Sequence, residues 1–172
     1  GFAGLQRALT MKPEDIVREV ADSGLRGRGG AAFPTGIKWR TVLEQAAPQK
    51  YIACNADEGD SGTFADRMLM EGDPLTLIEG MTIAGFAVGA TRGYIYLRVE
   101  YPHAHRILLE AIAAARAAGY LGTDIMGSGR EFEIEVRPEF DLPDYKGLKL
   151  RRPTHGFTDA EVQAEKKRLL EP

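Results

Sequence analysis

Apolar residues recur at helical spacing over 13–23, PEDIVREVADS, where Ile16, Val17 and Val20 make one stripe. Pro13 suits a first helical position, and Glu14 and Asp15 complement the positive end of the helix dipole. Gly24 is placed to end that helix in a left-handed conformation. Residues 25–36, LRGRGGAAFPTG, carry Gly or Pro at five of twelve positions and predict a loop. A second helix follows over 37–46, with Trp39, Val42, Leu43 and Ala46 near helical spacing. Lys50–Cys54 is a short apolar run that suits a buried strand, and the small and acidic residues of Asn55–Thr63 predict a loop behind it.

The later elements are better punctuated. Asp73-Pro74 places an N-cap before a first-turn proline, so a helix should run from there to about Gly89. Gly93–Val99 is rich in β-branched and aromatic residues and predicts a strand. The Ala-rich stretch from Pro102 to Ala118 predicts a helix ending at Gly119. Glu131–Arg137 alternates strictly, with Phe132, Ile134 and Val136 on one face, which is a strand with one wet side. Strands alternating with helices predict an α/β fold, a layered sheet (mixed or largely parallel) flanked by helices. The pattern divides at Pro138: residues 1–137 form the domain, and 138–172 form a proline-rich linker and a C-terminal helix. In that helix Thr158 and Glu161 make a capping box, with Phe157 and Val162 as a hydrophobic staple.

Composition narrows the chemistry. A net charge of −3 over 172 residues argues against a nucleic-acid partner. Cys54 is the lone cysteine, so this sequence offers neither a disulfide framework nor a multi-cysteine metal or iron–sulfur site. A single thiol suits a reducing compartment, and the expectation is a cytoplasmic, soluble domain with no signal peptide. Pro74–Ala90 is apolar, but it is short for a membrane span and carries Glu79, which points to a core helix. His103 and His105 stand two apart, and so on different helix faces, which argues against a shared metal.

The candidate chemistry lies in Gly24–Arg67. Gly24–Lys38 contains Arg26, Arg28 and Lys38 and no acidic residue. A glycine-rich loop with cations and free backbone N–H groups can cradle a phosphate or pyrophosphate, and Gly27, Gly29 and Gly30 would let the backbone approach it closely. Gly27–Ala32 also fits the G-x-G-x-x-[GA] fingerprint, but a helix precedes it where that fingerprint needs a strand. A glycine turn with solvated arginines is the plainer alternative. Asn55–Gly62 has the opposite character, with Asp57, Glu58 and Asp60 at a strand's end. Carboxylates there repel phosphate and accept from neutral donors such as ribose or ribityl hydroxyls and a flavin N3–H. Metal binding or plain solvation are the alternatives. Together, a cationic glycine loop and an acidic loop describe a nucleotide-shaped ligand.

Two motifs, GLRGRGGAAFPTGIKW (24–39) and CNADEGDSGTFADR (54–67), closely resemble the flavoprotein NADH-binding subunit of complex I and its relatives, the diaphorase subunits of NAD-reducing hydrogenases and the β subunits of NAD-dependent formate dehydrogenases. The stretch 72–104 also fits, and the resemblance runs from about residue 2 to residue 137. It implies a Rossmann-like FMN-binding domain of the complex I flavoprotein type. It further implies FMN held by Gly27, Arg28, Gly29, Lys38, Asn55, Asp57 and Glu58, with NADH stacking near Phe33 and Asp60. The activity implied is NADH oxidation: hydride passes from NAD(H) to the flavin, and electrons pass on to iron–sulfur subunits of a larger complex. The flavin carries the redox chemistry, so no side chain is expected to be catalytic and no metal site is expected.

The resemblance has gaps. In relatives a glutamate is usual where Asp60 stands. Full-length relatives also continue with a Gly-Ala-Tyr-x-Cys-Gly-Glu-Glu segment, a ubiquitin-like domain and a helical bundle whose four cysteines hold a 4Fe–4S cluster. None of these follows Arg137 here, so a 4Fe–4S cluster is expected only in a partner or in regions this sequence lacks. Two other functions fit the residues: a non-catalytic nucleotide-binding or scaffold piece within such a complex, and a phosphate-ligand metalloenzyme.

Overall fold

The most apolar segment of the chain builds the centre of the fold. In the computed structural model, which describes residues 1–28, 30–60, 62–136, 156 and 158–170, the helix α5 (Pro74–Val88) buries Ile78, Met81, Thr82, Ala84, Gly85, Phe86, Ala87 and Val88. A helix buried on nearly every side belongs in the middle of a core. Asp73 caps it by accepting from the Thr76 N–H at 3.3 Å and the Thr76 hydroxyl at 2.7 Å. Gly89 closes it in the left-handed region at φ 76°.

Three strands form one wholly parallel sheet in the order β1-β2-β3, with β1 (Tyr51–Ala56), β2 (Arg92–Leu97) and β3 (Glu133–Val136). β1 pairs with β2 from Tyr51↔Arg92 to Ala56↔Leu97, and β2 with β3 from Arg92↔Glu133 to Ile95↔Val136. The helices α5 and α6 (Pro102–Ala117) supply the crossovers that parallel pairing requires. The other α-helices of this part are α1 (Ala3–Leu9), α2 (Pro13–Asp22), α3 (Thr35–Glu44) and α4 (Ala65–Gly72), and a single 3-10 turn over Ile125–Gly127 precedes β3. The chain divides into two units, Gly1–Glu139 and Phe140–Pro172.

Phe132 joins sheet to helix. Its ring is fully buried and lies between two glycines. A Cβ on Gly85 of α5 would come within 2.6 Å of Phe132 Cδ2, and one on Gly93 of β2 within 2.9 Å of its Cζ. The aromatic ring takes the space that two side chains would need, so α5 approaches the sheet closely. Gly36 does the same between helices, because a Cβ there would stand 2.5 Å from Ala21 Cα and force α3 away from α2.

The structure refines the sequence expectations at several points. α1 and α4 are additional helices, and β1 runs on to Ala56, so Asn55 lies in the strand and not in the loop. β3 shows the expected alternation, with Phe132, Ile134 and Val136 buried and Glu135 exposed. Arg137, the linker 138–153 and Phe157 of the proposed staple lie outside the described residues. In the C-terminal unit, α7 (Asp159–Leu170) begins with the capping box: Glu161 N–H donates to the Thr158 hydroxyl at 3.3 Å and Thr158 N–H to the Glu161 carboxylate at 2.8 Å. Among the described residues no helix is long and apolar enough to cross a membrane.

Overpacking against the Phe132 ring gives the first test. Gly85→Ala should lower stability by about 1–3 kcal/mol, read as a reduced urea midpoint at unchanged slope, and an unchanged midpoint would contradict this packing.

Candidate functional site

The glycine-rich loop is closed on itself by backbone bonds. Arg26 and Pro34 form an antiparallel bridge. Gly27 N–H donates to Phe33 O at 2.9 Å, and Thr35 N–H to Leu25 O at 2.9 Å. At the tip Gly30 has φ 94°, a conformation glycine adopts without strain, while Ala32 holds φ 48°. The Arg26 guanidinium braces the loop by donating to Ala32 O at 3.1 Å. Arg28 and Lys38 are exposed, and among the described residues neither has a side-chain hydrogen bond or ion pair. The three expected cations therefore differ: one is structural and two are available to an anion.

Gly27, Phe33 and Lys38 come together at a cavity of about 440 Å³, walled also by Trp39, Val42 and Ile52. That volume falls within the range of small-molecule sites, roughly 300–1,000 Å³, and such sites combine apolar walls with a few polar groups. Phe33 is 54% exposed, an aromatic face open to solvent beside it. Gly29 lies outside the described residues.

The acidic residues do not line this cavity; they follow from the far end of β1. Asn55 Oδ1 accepts from the Asp57 N–H at 3.1 Å and so turns the chain out of the strand. Asn55, Asp57 and Asp60 are exposed. Glu58 is not: it is 8% exposed, and its carboxylate faces inward. It accepts from the N–H groups of Asp66 and Arg67, each at 3.3 Å, and from the Tyr101 hydroxyl at 3.3 Å. Donors at the start of α4 would otherwise be orphaned, since a helix leaves its first N–H groups without partners.

Arg98 and Tyr101 complete this bracket, and neither was singled out as functional by the sequence. The parallel register ends at Ala56↔Leu97, which sets the following residues, Asp57 and Arg98, side by side at the carboxyl ends of the strands. That end is where open α/β sheets place their ligands. The Arg98 guanidinium donates to the Glu58 carbonyl and pairs with Glu100 at 3.1 Å. The Tyr101 ring is buried and lies within reach of two cations, with Arg67 Cζ 5.5 Å and Arg98 Cζ 5.9 Å from its centroid. Only knowledge of the strand register could have brought Arg98 to attention.

Electrostatics follow the same contacts. Burial alone would raise the Glu58 carboxyl, but the N–H groups of Asp66, Arg67 and Ala65 and the Tyr101 hydroxyl outweigh it and hold the group below the usual glutamate range. Burial, and then the Glu58 charge, push the Tyr101 phenol and the Asp66 carboxyl up. Burial, and then Asp66, raise the Cys54 thiol, as expected of a packing cysteine.

With this geometry in place, comparison with known proteins defines the class. The family model described as "Nuo51 FMN-binding domain" matches residues 20–142, and the chain belongs to that family. It is 55% identical over 137 residues to the HndC subunit of the NADP-reducing hydrogenase of Solidesulfovibrio fructosivorans, a match covering 80% of this chain and 28% of that protein. It is 50% identical over 136 residues to the F subunit of the NADH-quinone oxidoreductase of Aquifex aeolicus, covering 79% and 32%. Among solved structures, the NAD+-reducing NiFe hydrogenase in its H2-reduced state superposes with a TM-score of 0.61 at 42% identity, over 74% of this chain and 22% of that one. The chain thus spans about a fifth to a third of the length of these relatives. A second model, described as bacterial trigger factor protein, matches residues 127–169, a stretch that takes in most of α7.

The lowered Glu58 carboxyl gives a pH prediction. A group held below its unfolded value adds stability that is complete above the ordinary glutamate range and lost as pH falls through the depressed value. On acidification below that range, the urea midpoint of the wild type should therefore fall more steeply than that of Glu58→Gln, and parallel curves would contradict the assignment.

Proposed function

We propose that residues 1–137 form the FMN- and NADH-binding part of a diaphorase-class oxidoreductase, working with iron–sulfur subunits of a larger complex. The carrying observation is the separation of charge. Two cations, Arg28 and Lys38, unpaired among the described residues, stand at the glycine loop and its cavity, and exposed acceptors, Asn55 and Asp57, stand at the end of the adjoining strand. When bound, FMN supplies the chemistry, taking hydride from NADH and releasing electrons singly to iron–sulfur partners.

The residues present fit that group. Arg28 and Lys38, with backbone N–H groups about Gly29 and Gly30, would hold its phosphate, and Gly27, whose own N–H is on Phe33 O, would let the backbone come close. Asn55 and Asp57 would accept from ribityl hydroxyls and the ring N3–H. Glu58 belongs to the set through its place in the loop, its carboxylate being engaged by α4. Phe33 offers an open aromatic face for the nicotinamide end of NADH, and Asp60, exposed on the acidic loop, would meet NADH as well. The protein's task is to orient the two ligands and to stabilise charge on them. The family match and the 50–55% identity to named oxidoreductase subunits support the reading. A location in the cytoplasm agrees with the lone thiol.

The test uses the full chain. FMN should bind with quenched flavin fluorescence, and NADH should bleach the bound flavin's visible band. A charge-assisted hydrogen bond of about 1.5–3 kcal/mol makes Lys38→Ala weaken FMN by roughly tenfold or more. Equal FMN affinity and NADH bleaching in wild type and Lys38→Ala would remove Lys38 from the site, and a wild type that leaves FMN free in solution would overturn the reading.

A further inference from the structure

Resting on the flavin reading above, we propose that Glu58 is a positioning residue, a latch whose carboxylate fixes the chain just beyond β1 and so sets Asp57, beside the strand-held Asn55, where the flavin's ribityl chain and ring edge would lie. Its side chain acts through α4 and Tyr101 and does not touch the ligand.

Three features carry this. First, the carboxylate is already engaged. Two α4 N–H groups and the Tyr101 hydroxyl donate to it, and almost none of the residue reaches solvent. A ligand could reach those oxygens only by displacing the helix start. Second, the same residue is held at its backbone, because the Arg98 guanidinium donates to the Glu58 carbonyl. Glu58 is thus pinned at both ends while its neighbours Asp57 and Gly59 stay exposed. Third, the bracket is built from separate parts of the chain. Glu58 follows β1, Asp66 and Arg67 open α4, Arg98 follows β2, and Tyr101 precedes α6. Glu58 is therefore tied to residues 40 and 43 positions further along the sequence, Arg98 and Tyr101. Asp57 is held on one side by its N–H bond to Asn55 of β1 and on the other by its clamped neighbour Glu58.

Opening such a latch frees buried polar groups and loosens the loop, which should show without any ligand. Site-resolved amide exchange on the full chain would be measured for Asp66 and Arg67 in wild type, Glu58→Gln, Glu58→Ala and Tyr101→Phe, alongside FMN dissociation constants from fluorescence quenching. Glu58→Ala should speed exchange at both amides by about tenfold or more. Glu58→Gln, which keeps an oxygen acceptor, should recover part of that protection. Tyr101→Phe removes only a buried hydroxyl that donates to Glu58, yet it should weaken FMN several-fold, in the same direction as the Glu58 variants.

Wild-type exchange at Asp66 and Arg67 in Glu58→Ala would show that there is no latch. Full FMN affinity in Tyr101→Phe, with Glu58→Gln as damaging as Glu58→Ala, would mean direct contact between carboxylate and ligand and would overturn the positioning role. If the wild type binds no FMN, the flavin reading fails and the positioning role with it, while the exchange measurements still decide whether the clamp exists.

Discussion

Helix starts need acceptors for their first N–H groups, and in this fold two of those acceptors come from outside the helix's own cap, one 8 to 9 positions upstream and one 74 to 77 positions downstream. α1 and α4 both begin after a phenylalanine in the left-handed region, Phe2 at φ 64° and Phe64 at φ 52°, and neither has a local side-chain cap. At α1 the Glu79 carboxylate of α5 accepts from the Phe2 N–H at 3.2 Å and the Leu5 N–H at 2.9 Å. At α4 the acceptor is Glu58. A negative charge at a helix start also meets the favourable end of the dipole. The first of these contacts ties the N-terminal helix to the central one, and the second ties α4 to the end of β1. The geometry of the acidic loop follows from the second.

These remote caps explain what the sequence did and did not disclose. α5 was legible because its cap is local, with Asp73 beside Pro74 and Gly89 at the other end. α2 and α6 likewise carry proline at their first position, and β3 alternates too regularly to mistake. α1 and α4 were not legible, because each is at most eight residues long and the contacts that cap its start span 8 to 77 positions of sequence. Glu79 had a visible role only as an objection to a membrane span, whereas the structure makes it a cap. The extension of β1 through Asn55 and Ala56 was hidden for a similar reason: pairing with Tyr96 and Leu97 overrides the loop-like composition.

The candidate site was legible in its chemistry and not in its geometry. The glycine loop and the acidic loop announce opposite charge in the sequence alone. That Arg26 braces the loop while Arg28 and Lys38 have no partner among the described residues, and that Glu58 turns inward while Asp57 is exposed, depend on contacts with no sequence period. Family membership narrows the ligand class, and the local contacts divide the same residues into those engaged within the fold, Arg26 and Glu58, and those left exposed, Arg28, Lys38 and Asp57.

The most direct measurement is a crystal structure of the chain with FMN. The phosphate should lie within hydrogen-bonding distance of Arg28 and Lys38, with Asn55 and Asp57 toward the ribityl chain and ring and the Glu58 carboxylate still on the Asp66 and Arg67 amides. A cleft closed by its own side chains, or a flavin bound away from the glycine loop, would contradict it.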